Sequence, residues 1–313
     1  MKRKKYFIIT VDTEGDNLWG AHHGEPITTR NTAYIPRFQM LCNEYGFKPV
    51  YLTNYEMAID ENYVQFIKGI TDKGQCEVGI HIHAWNNPPY YELPEYKCDQ
   101  TFLLEYPYEI MRQKLKVTYD LIKKNIGVVP FSHRAGRWAM DKRYFKLLEE
   151  FGIKVDCSYT PHVDWSDTMG AARGGSNYSR KTAKAQWVGN ILEVPTSIYD
   201  TGEKLRISTK GIIKRLLRFK SLPHKVIWLR PALSDLLSMM KIINQIACDD
   251  SIDFAEFMIH SSELMPGGSP YFQTKESIES LYATMKELFQ YTKQKGFVGC
   301  TLKEYYEQKN QGN

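Results

Sequence analysis

Two pairs of chemically active residues share one spacing in this chain. Asp12-Thr13-Glu14 follows the apolar run Tyr6-Phe7-Ile8-Ile9-Thr10-Val11, and His81-Ile82-His83 follows Cys76-Glu77-Val78-Gly79-Ile80. In a strand, residues i and i+2 point to the same face. Each pair therefore presents two carboxylates or two imidazoles to one small volume. A carboxylate with two imidazoles is enough to hold a catalytic divalent ion with positions open for water and substrate. Such an ion acidifies its water and polarises a carbonyl. A second carboxylate then takes the water proton, an adjacent arginine keeps that carboxylate ionised, and a histidine from another strand protonates a leaving amine. Asp12, Glu14, His81, His83, Arg134 and His260 supply these parts, and the reaction class they serve is hydrolysis of an amide or ester. There is no Gly-x-Ser-x-Gly elbow, Walker loop or dinucleotide-binding glycine fingerprint.

The elements that must position these groups follow a repeating order. The Tyr6–Val11 run has the continuous β-branched character of a strand buried on both faces of a parallel sheet. A helix is expected from Ala33 to Glu44 with Gly46 behind it, then a strand over 48–53. A second helix, 63–73, ends before Gly74, and the histidine-bearing strand follows. Trp85 and Pro88-Pro89 come next, and the prolines impose an extended exit. Further on, the pattern predicts a helix over 108–125, a strand over 128–133 leading into Arg134, and a helix over 142–151 capped by Asp141. Short strands are expected at 153–158, 191–197 and 254–263, then a closing helix over 275–296, a strand near 298–302 and a short terminal helix. Asp156, Glu193 and His260 fall at strand ends like the first two pairs. Each of these residues has an ordinary reading, as a turn residue or a satisfied core histidine. Their repetition at the exits of apolar runs describes instead a (β/α) barrel with its site at the carboxyl ends of the strands.

Composition bounds the remaining choices. The 313 residues are 42% hydrophobic and 25% charged, ordinary values for a globular enzyme, and the net charge of +5 does not call for nucleic acid. Twenty-one tyrosines and six tryptophans suit a cleft that stacks on sugar rings, and they suit a core equally well. Six cysteines lie scattered without a Cys-x-x-Cys pair, so reduced thiols are expected. The apolar run behind the basic residues 1–5 stops at Asp12, too short for a signal sequence, which leads to the expectation of a cytoplasmic protein. Between Lys204 and Arg230 stand nine Lys/Arg residues. With Ile212, Ile213, Leu216, Leu217 and Phe219, they form a basic amphipathic helix in an insertion at about 203–245. That helix is read as a solvated surface element packed by its apolar side, or as a peripheral contact with an anionic membrane face.

Together these stretches resemble the polysaccharide deacetylases of the NodB-homology type, the family four carbohydrate esterases, and within them the WalW-like branch. The resemblance is carried by 10–14, 77–85, 134–138, 155–158, 193–196 and 258–264, nearly the whole chain apart from the basic segment. It implies a single catalytic domain over 1–313 with a distorted (β/α)7-type barrel. It also implies a metal-dependent hydrolase removing an acyl group, N-acetyl first, from a sugar or glycan in cell-surface polysaccharide assembly. By position, Asp12 matches the catalytic base, His260 the general acid, His81 the first metal histidine, Arg134 the arginine orienting the base and Asp156 the acid holding that arginine. The backbone near Arg137 matches the oxyanion site, and Trp85, Arg137, Trp138 and Glu263 are the expected substrate contacts. Two departures stand out. The family's adjacent Asp-Asp is Asp12-Thr13-Glu14 here, making Glu14 the metal carboxylate. Trp85 also occupies the place of the second metal histidine, so His83 substitutes for it. The implied metal is zinc, with nickel, cobalt or manganese as alternatives. An amide hydrolase on a non-sugar substrate and a catalytically silent glycan-binding homologue are the other classes left open.

Overall fold

The N-terminal apolar run becomes an interior strand of the sheet, one place in from its edge. In the computed structural model, which describes residues 4–21, 25–204 and 224–310, β1 (Lys5–Thr13) is buried along its whole length. β2 (Pro49–Thr53) and β3 (Glu77–Ile82) follow on one side of it, then β4 (Ser132–Ala135) and β5 (Val155–Asp156). β6 (Gln186–Val188) and β7 (Ile191–Glu193) form an antiparallel pair. β8 (Ile198–Lys204) and β9 (His224–Trp228) make a separate antiparallel ribbon. β10 (Phe254–His260) returns to the other edge of β1. β11 (Phe297–Gly299) pairs with the start of β1, below the point where β2 begins.

The order β10-β1-β2-β3-β4-β5-β7 places seven parallel strands in a row, with β6 at the edge. Right-handed crossovers coil such a sheet, and the result is a curled half-barrel of mixed α/β class, as the sequence reading expected. The gap between β7 and β10 is bridged by single hydrogen bonds. Ser197 N–H donates to the Glu256 carbonyl (3.3 Å), Leu229 N–H to that of Ser197 (2.9 Å), and Met258 N–H to that of Leu229 (3.2 Å). The helices Ile35–Glu44, Glu61–Thr71, Tyr108–Leu121, Lys142–Glu150 and Lys275–Gln294 lie where expected within a few residues. Gly46 and Gly74 take positive φ behind the first two, the left-handed conformation that ends helices. Phe7, Phe47, Phe257 and Phe289 pack with ring centroids 4.9–6.2 Å apart beneath the strands.

The strand expected at 128–133 begins only at Ser132. Pro130 has no N–H to give a ladder, and Val129 is exposed. The runs 153–158 and 191–197 shrink to two and three paired residues. Residues 205–223, the core of the basic amphipathic segment, lie outside the described residues. The flanks of that segment are the β8–β9 ribbon and the helix Leu236–Cys248, which buries Met239, Ile242, Ile243 and Ile246. No helix of the described residues is long and apolar enough to cross a membrane.

Candidate active site

Register brings the strand-end residues together. Asp12 on β1 stands beside His260 on β10, and His81 on β3 beside Arg134 on β4. Arg134 is the largest fully buried side chain. Its Nη1 donates to Asp12 Oδ1 (2.6 Å), its Nη2 to Thr10 Oγ1 (2.8 Å) and Glu256 Oε1 (2.5 Å), and its Nε to the Cys157 carbonyl (3.0 Å). Two carboxylates therefore share one guanidinium. Burial alone raises Asp12, but Arg134, with His81 and His260, outweighs it and holds the carboxyl below its ordinary range. Burial dominates at Glu256 and lifts it above that range despite the same arginine. Asp12 is thus held in its ionised form, with Oδ1 on Arg134 and Oδ2 near His260 (Nε2 at 3.7 Å). This is the protonation state a general base requires.

The resemblance implies that Asp156 holds Arg134, and the contacts of Asp156 correct this. Asp156 is the register neighbour of His133, one residue out of phase with Arg134, so its side chain meets the opposite face of the sheet. There it accepts from His133 Nδ1 (2.6 Å) and Ser158 Oγ (2.8 Å), while His133 Nε2 meets Tyr144 Oη (2.7 Å). Glu256 fills the place at Arg134.

Glu14, His81 and His83 form a buried set suited to a metal ion. Glu14 Oε2 lies 2.7 Å from His83 Nε2 and 3.6 Å from His81 Nε2, and the two Nε2 atoms are 3.0 Å apart. Ligand atoms at about 2.0–2.1 Å from a tetrahedral zinc ion would be about 3.3 Å from one another, so the set fits a divalent ion with little adjustment. His81 is supported as a metal histidine usually is, its Nδ1–H donating to the Arg134 carbonyl (2.7 Å), which leaves Nε2 to face the set. His83 lacks that support. Its Nδ1 is buried with no hydrogen-bond partner, and Gly136 presses on it so closely that a Cβ there would come within 2.8 Å of Nδ1. Binding a metal through Nε2 leaves the ring proton on that unpartnered nitrogen, so His83 is the weak ligand. Burial, the largest influence, pushes its pKa down to about 4 and keeps the ring neutral. Burial raises Glu14, but His83 and His260 carry it well below the carboxylate range.

His260 accepts at Nδ1 from Arg230 Nη2 (2.8 Å). Arginine has donors only, so this contact puts the ring proton on Nε2, the nitrogen facing Asp12 and Glu14. Glu263, expected among the substrate contacts, is instead 2% exposed. It accepts from Arg230 Nη2 (2.5 Å) and from His260 N–H (3.2 Å), holding both in place. Arg137 and Trp138 both take positive φ, 55° and 60°, a strained conformation for residues with a Cβ. The Arg137 guanidinium is occupied by the carbonyls of Gln100 and Met169 and stacks on Phe102. That leaves its backbone, not its side chain, for any ligand. Trp138 lies under Arg134 (5.1 Å), and its carbonyl accepts from Tyr178 Oη. Trp85 packs against His83 and Trp19.

Glu256, Arg230 and Trp19 were not singled out from sequence. Glu256 had a signal, a lone acid inside the apolar strand Phe254-Ala255-Glu256-Phe257-Met258. Arg230 was counted in the basic run, although its side chain is only 11% exposed and belongs to the site.

No protein-family model and no curated protein matches the sequence. Solved structures do match. A 4-alpha-glucanotransferase from Thermococcus litoralis superposes with a TM-score of 0.56 at 13% identity, covering 98% of this chain and 40% of that one. The Xyl-CE4 domain of a multidomain xylanase from the hindgut metagenome of Trinervitermes trinervoides aligns over 98% of this chain and 92% of that domain, at 11% identity and a TM-score of 0.48. A CE4 family pseudoenzyme from Bacillus anthracis aligns over 97% and 66%, at 13% and 0.45. Identities this low speak to the fold alone. The chain is a curled half-barrel of mixed α/β class.

Proposed function

We propose that this chain is a divalent-metal-dependent hydrolase of the WalW-like kind. It removes an acyl group, N-acetyl first, from a sugar or glycan during assembly of a cell-surface polysaccharide, on the cytoplasmic side. One observation carries the reading: an ionised carboxylate clamped by a buried arginine, a histidine with its proton turned inward and a Glu-His-His set share one strand-end volume.

Glu14, His81 and His83 would hold a divalent metal ion, whose Lewis acidity would serve to polarise the acyl carbonyl and acidify water. Asp12 accepts the proton of the attacking water on Oδ2, because Oδ1 is engaged by Arg134. The N–H groups of the strained Arg137-Trp138 turn are assigned to the oxyanion that develops on the acyl group, a place where stored backbone strain serves a function. As the carbon–nitrogen bond breaks, His260 Nε2 gives its proton to the leaving amine and takes in exchange the proton that Asp12 Oδ2 had from water, so the ring ends neutral and Asp12 ionised. Arg230 and Glu263 hold the ring for that transfer. An acylated amine other than a sugar is the second reading, favoured by Trp85 standing where the family has its second metal histidine.

His81→Ala and His83→Ala, compared with wild type for zinc content and for acetate released from N-acetylated sugars, test the assignment. Both variants are expected to lose metal and activity, His81→Ala the more completely. Unchanged metal content and unchanged release in both would remove Glu14, His81 and His83 from the site.

A further inference from the structure

Trp19 lies outside every motif, yet it touches the candidate metal set at two points. Its indole Nε1–H donates to Glu14 Oε1 at 2.6 Å. Its ring meets His83 edge to face (5.1 Å, 82°) and Trp85 likewise (5.6 Å, 63°). The rest of the residue is fixed as well, because Gln100 Nε2 donates to the Trp19 carbonyl (2.9 Å) and the neighbouring Leu18 is fully buried. Trp19 nevertheless remains 44% exposed at the mouth of the site.

We infer that Trp19 is a positioning residue for the metal centre. Its indole reserves one oxygen of Glu14, so the carboxylate offers only Oε2 to the ion, and its ring fixes the orientation of His83. The inference rests on the metal reading of Glu14, His81 and His83. An indole N–H is a donor with no lone pair to give, so it cannot ligate the ion itself and can only hold the carboxylate. The two oxygens of Glu14 divide accordingly, with Oε1 on Trp19 and Oε2 on His83. A carboxylate free of such a partner can turn and bind through both oxygens, which raises the coordination number and fills positions that substrate and water need. The ring contact answers a second need. Metal-bound histidines are normally oriented by a hydrogen bond from the remote nitrogen, and His83 Nδ1 has no such partner. Around that nitrogen, the rings of Trp19 and Trp85 pack against the imidazole instead.

Cobalt(II) titration of the full chain tests this without a substrate, because the visible d–d bands of cobalt report coordination number and weaken as it rises above four. Trp19→Phe keeps a ring against His83 and deletes the N–H. The expected result is a loss of cobalt affinity of about 10- to 100-fold, the usual effect of removing a partner of a ligand, with weaker visible bands. Trp19→Tyr, whose hydroxyl restores a donor on a ring, should recover part of both and serves if the first variant folds poorly. Wild-type affinity and band intensity in Trp19→Phe would overturn the inference while leaving the metal reading intact. A wild-type protein that binds no cobalt would overturn both, and the two failures are told apart by which protein shows them.

Discussion

Asp12 and Glu263 show how single residues set the chemistry of this site. Both are buried carboxylates, and each is ionised because an arginine outweighs burial: Arg134 for Asp12 and Arg230 for Glu263. Burial alone raises Glu263, yet Arg230 and His260 bring it down to about 2, against about 4.3 for an unfolded chain. A carboxyl depressed by folding stabilises the native state above its unfolded value, and that stabilisation drains as pH falls from about 4.3 toward about 2. The contribution is of order 3 kcal/mol. Glu263→Gln should therefore be less stable than wild type at pH 6, and the difference should shrink steadily through that acid window. Urea midpoints measured at several pH values check it, and a difference independent of pH between 6 and 2 would deny the ion pair its role. Residue types and spacing made Asp12, His81, Arg134 and His260 legible from sequence, since each follows an apolar run. The residues that adjust them were not, because Glu256 and Arg230 act through contacts 122 and 30 residues away in the chain.

At the scale of elements, the strands that position the site were readable because parallel strands buried on both faces show as unbroken apolar runs. Strand length was not readable where side chains stay buried after pairing ends. Val194 and Thr196 are buried past β7, and Cys157 and Ser158 past β5. The loop after β3 owes its shape to a residue on a different element. Lys114, in the helix Tyr108–Leu121, is 1% exposed and donates its Nζ to the carbonyls of Ala84 (2.9 Å), Asn87 (2.6 Å) and Pro89 (2.7 Å). One ammonium thus ties down the segment that carries Trp85, directly behind His83. Lys114→Met would leave these carbonyls short of a donor, and an unsatisfied buried group costs about 1–3 kcal/mol. The expected result is a loss of about 3 kcal/mol or more, with faster hydrogen exchange at Asn86 and Asn87, whose N–H groups donate to the His83 carbonyl. Wild-type stability together with unchanged exchange would show that the loop holds itself.

For the whole molecule, the α/β class expected from the sequence as a distorted (β/α)7-type barrel is met by a curled half-barrel with seven parallel strands in a row and polar groups gathered at their carboxyl ends. The membrane-facing role proposed for 204–230 rests on sequence, with Arg230 now withdrawn from it to the site. Deleting Lys210–Lys220 should weaken binding to vesicles containing anionic lipid, and unchanged binding would leave a surface helix as its only role. Asp12, held ionised by Arg134, is proposed as the base of a metal-dependent deacylation at this strand-end site. The most direct measurement is acetate release from a panel of N-acetylated sugars and glycans by zinc-loaded wild-type protein and by Asp12→Asn loaded to the same zinc content. Wild type is expected to release acetate and the variant to be slower by about 10²- to 10⁴-fold, the usual share of a general base. Release by Asp12→Asn at the wild-type rate, or no release by the zinc-loaded wild type from any member of the panel, would contradict the proposal.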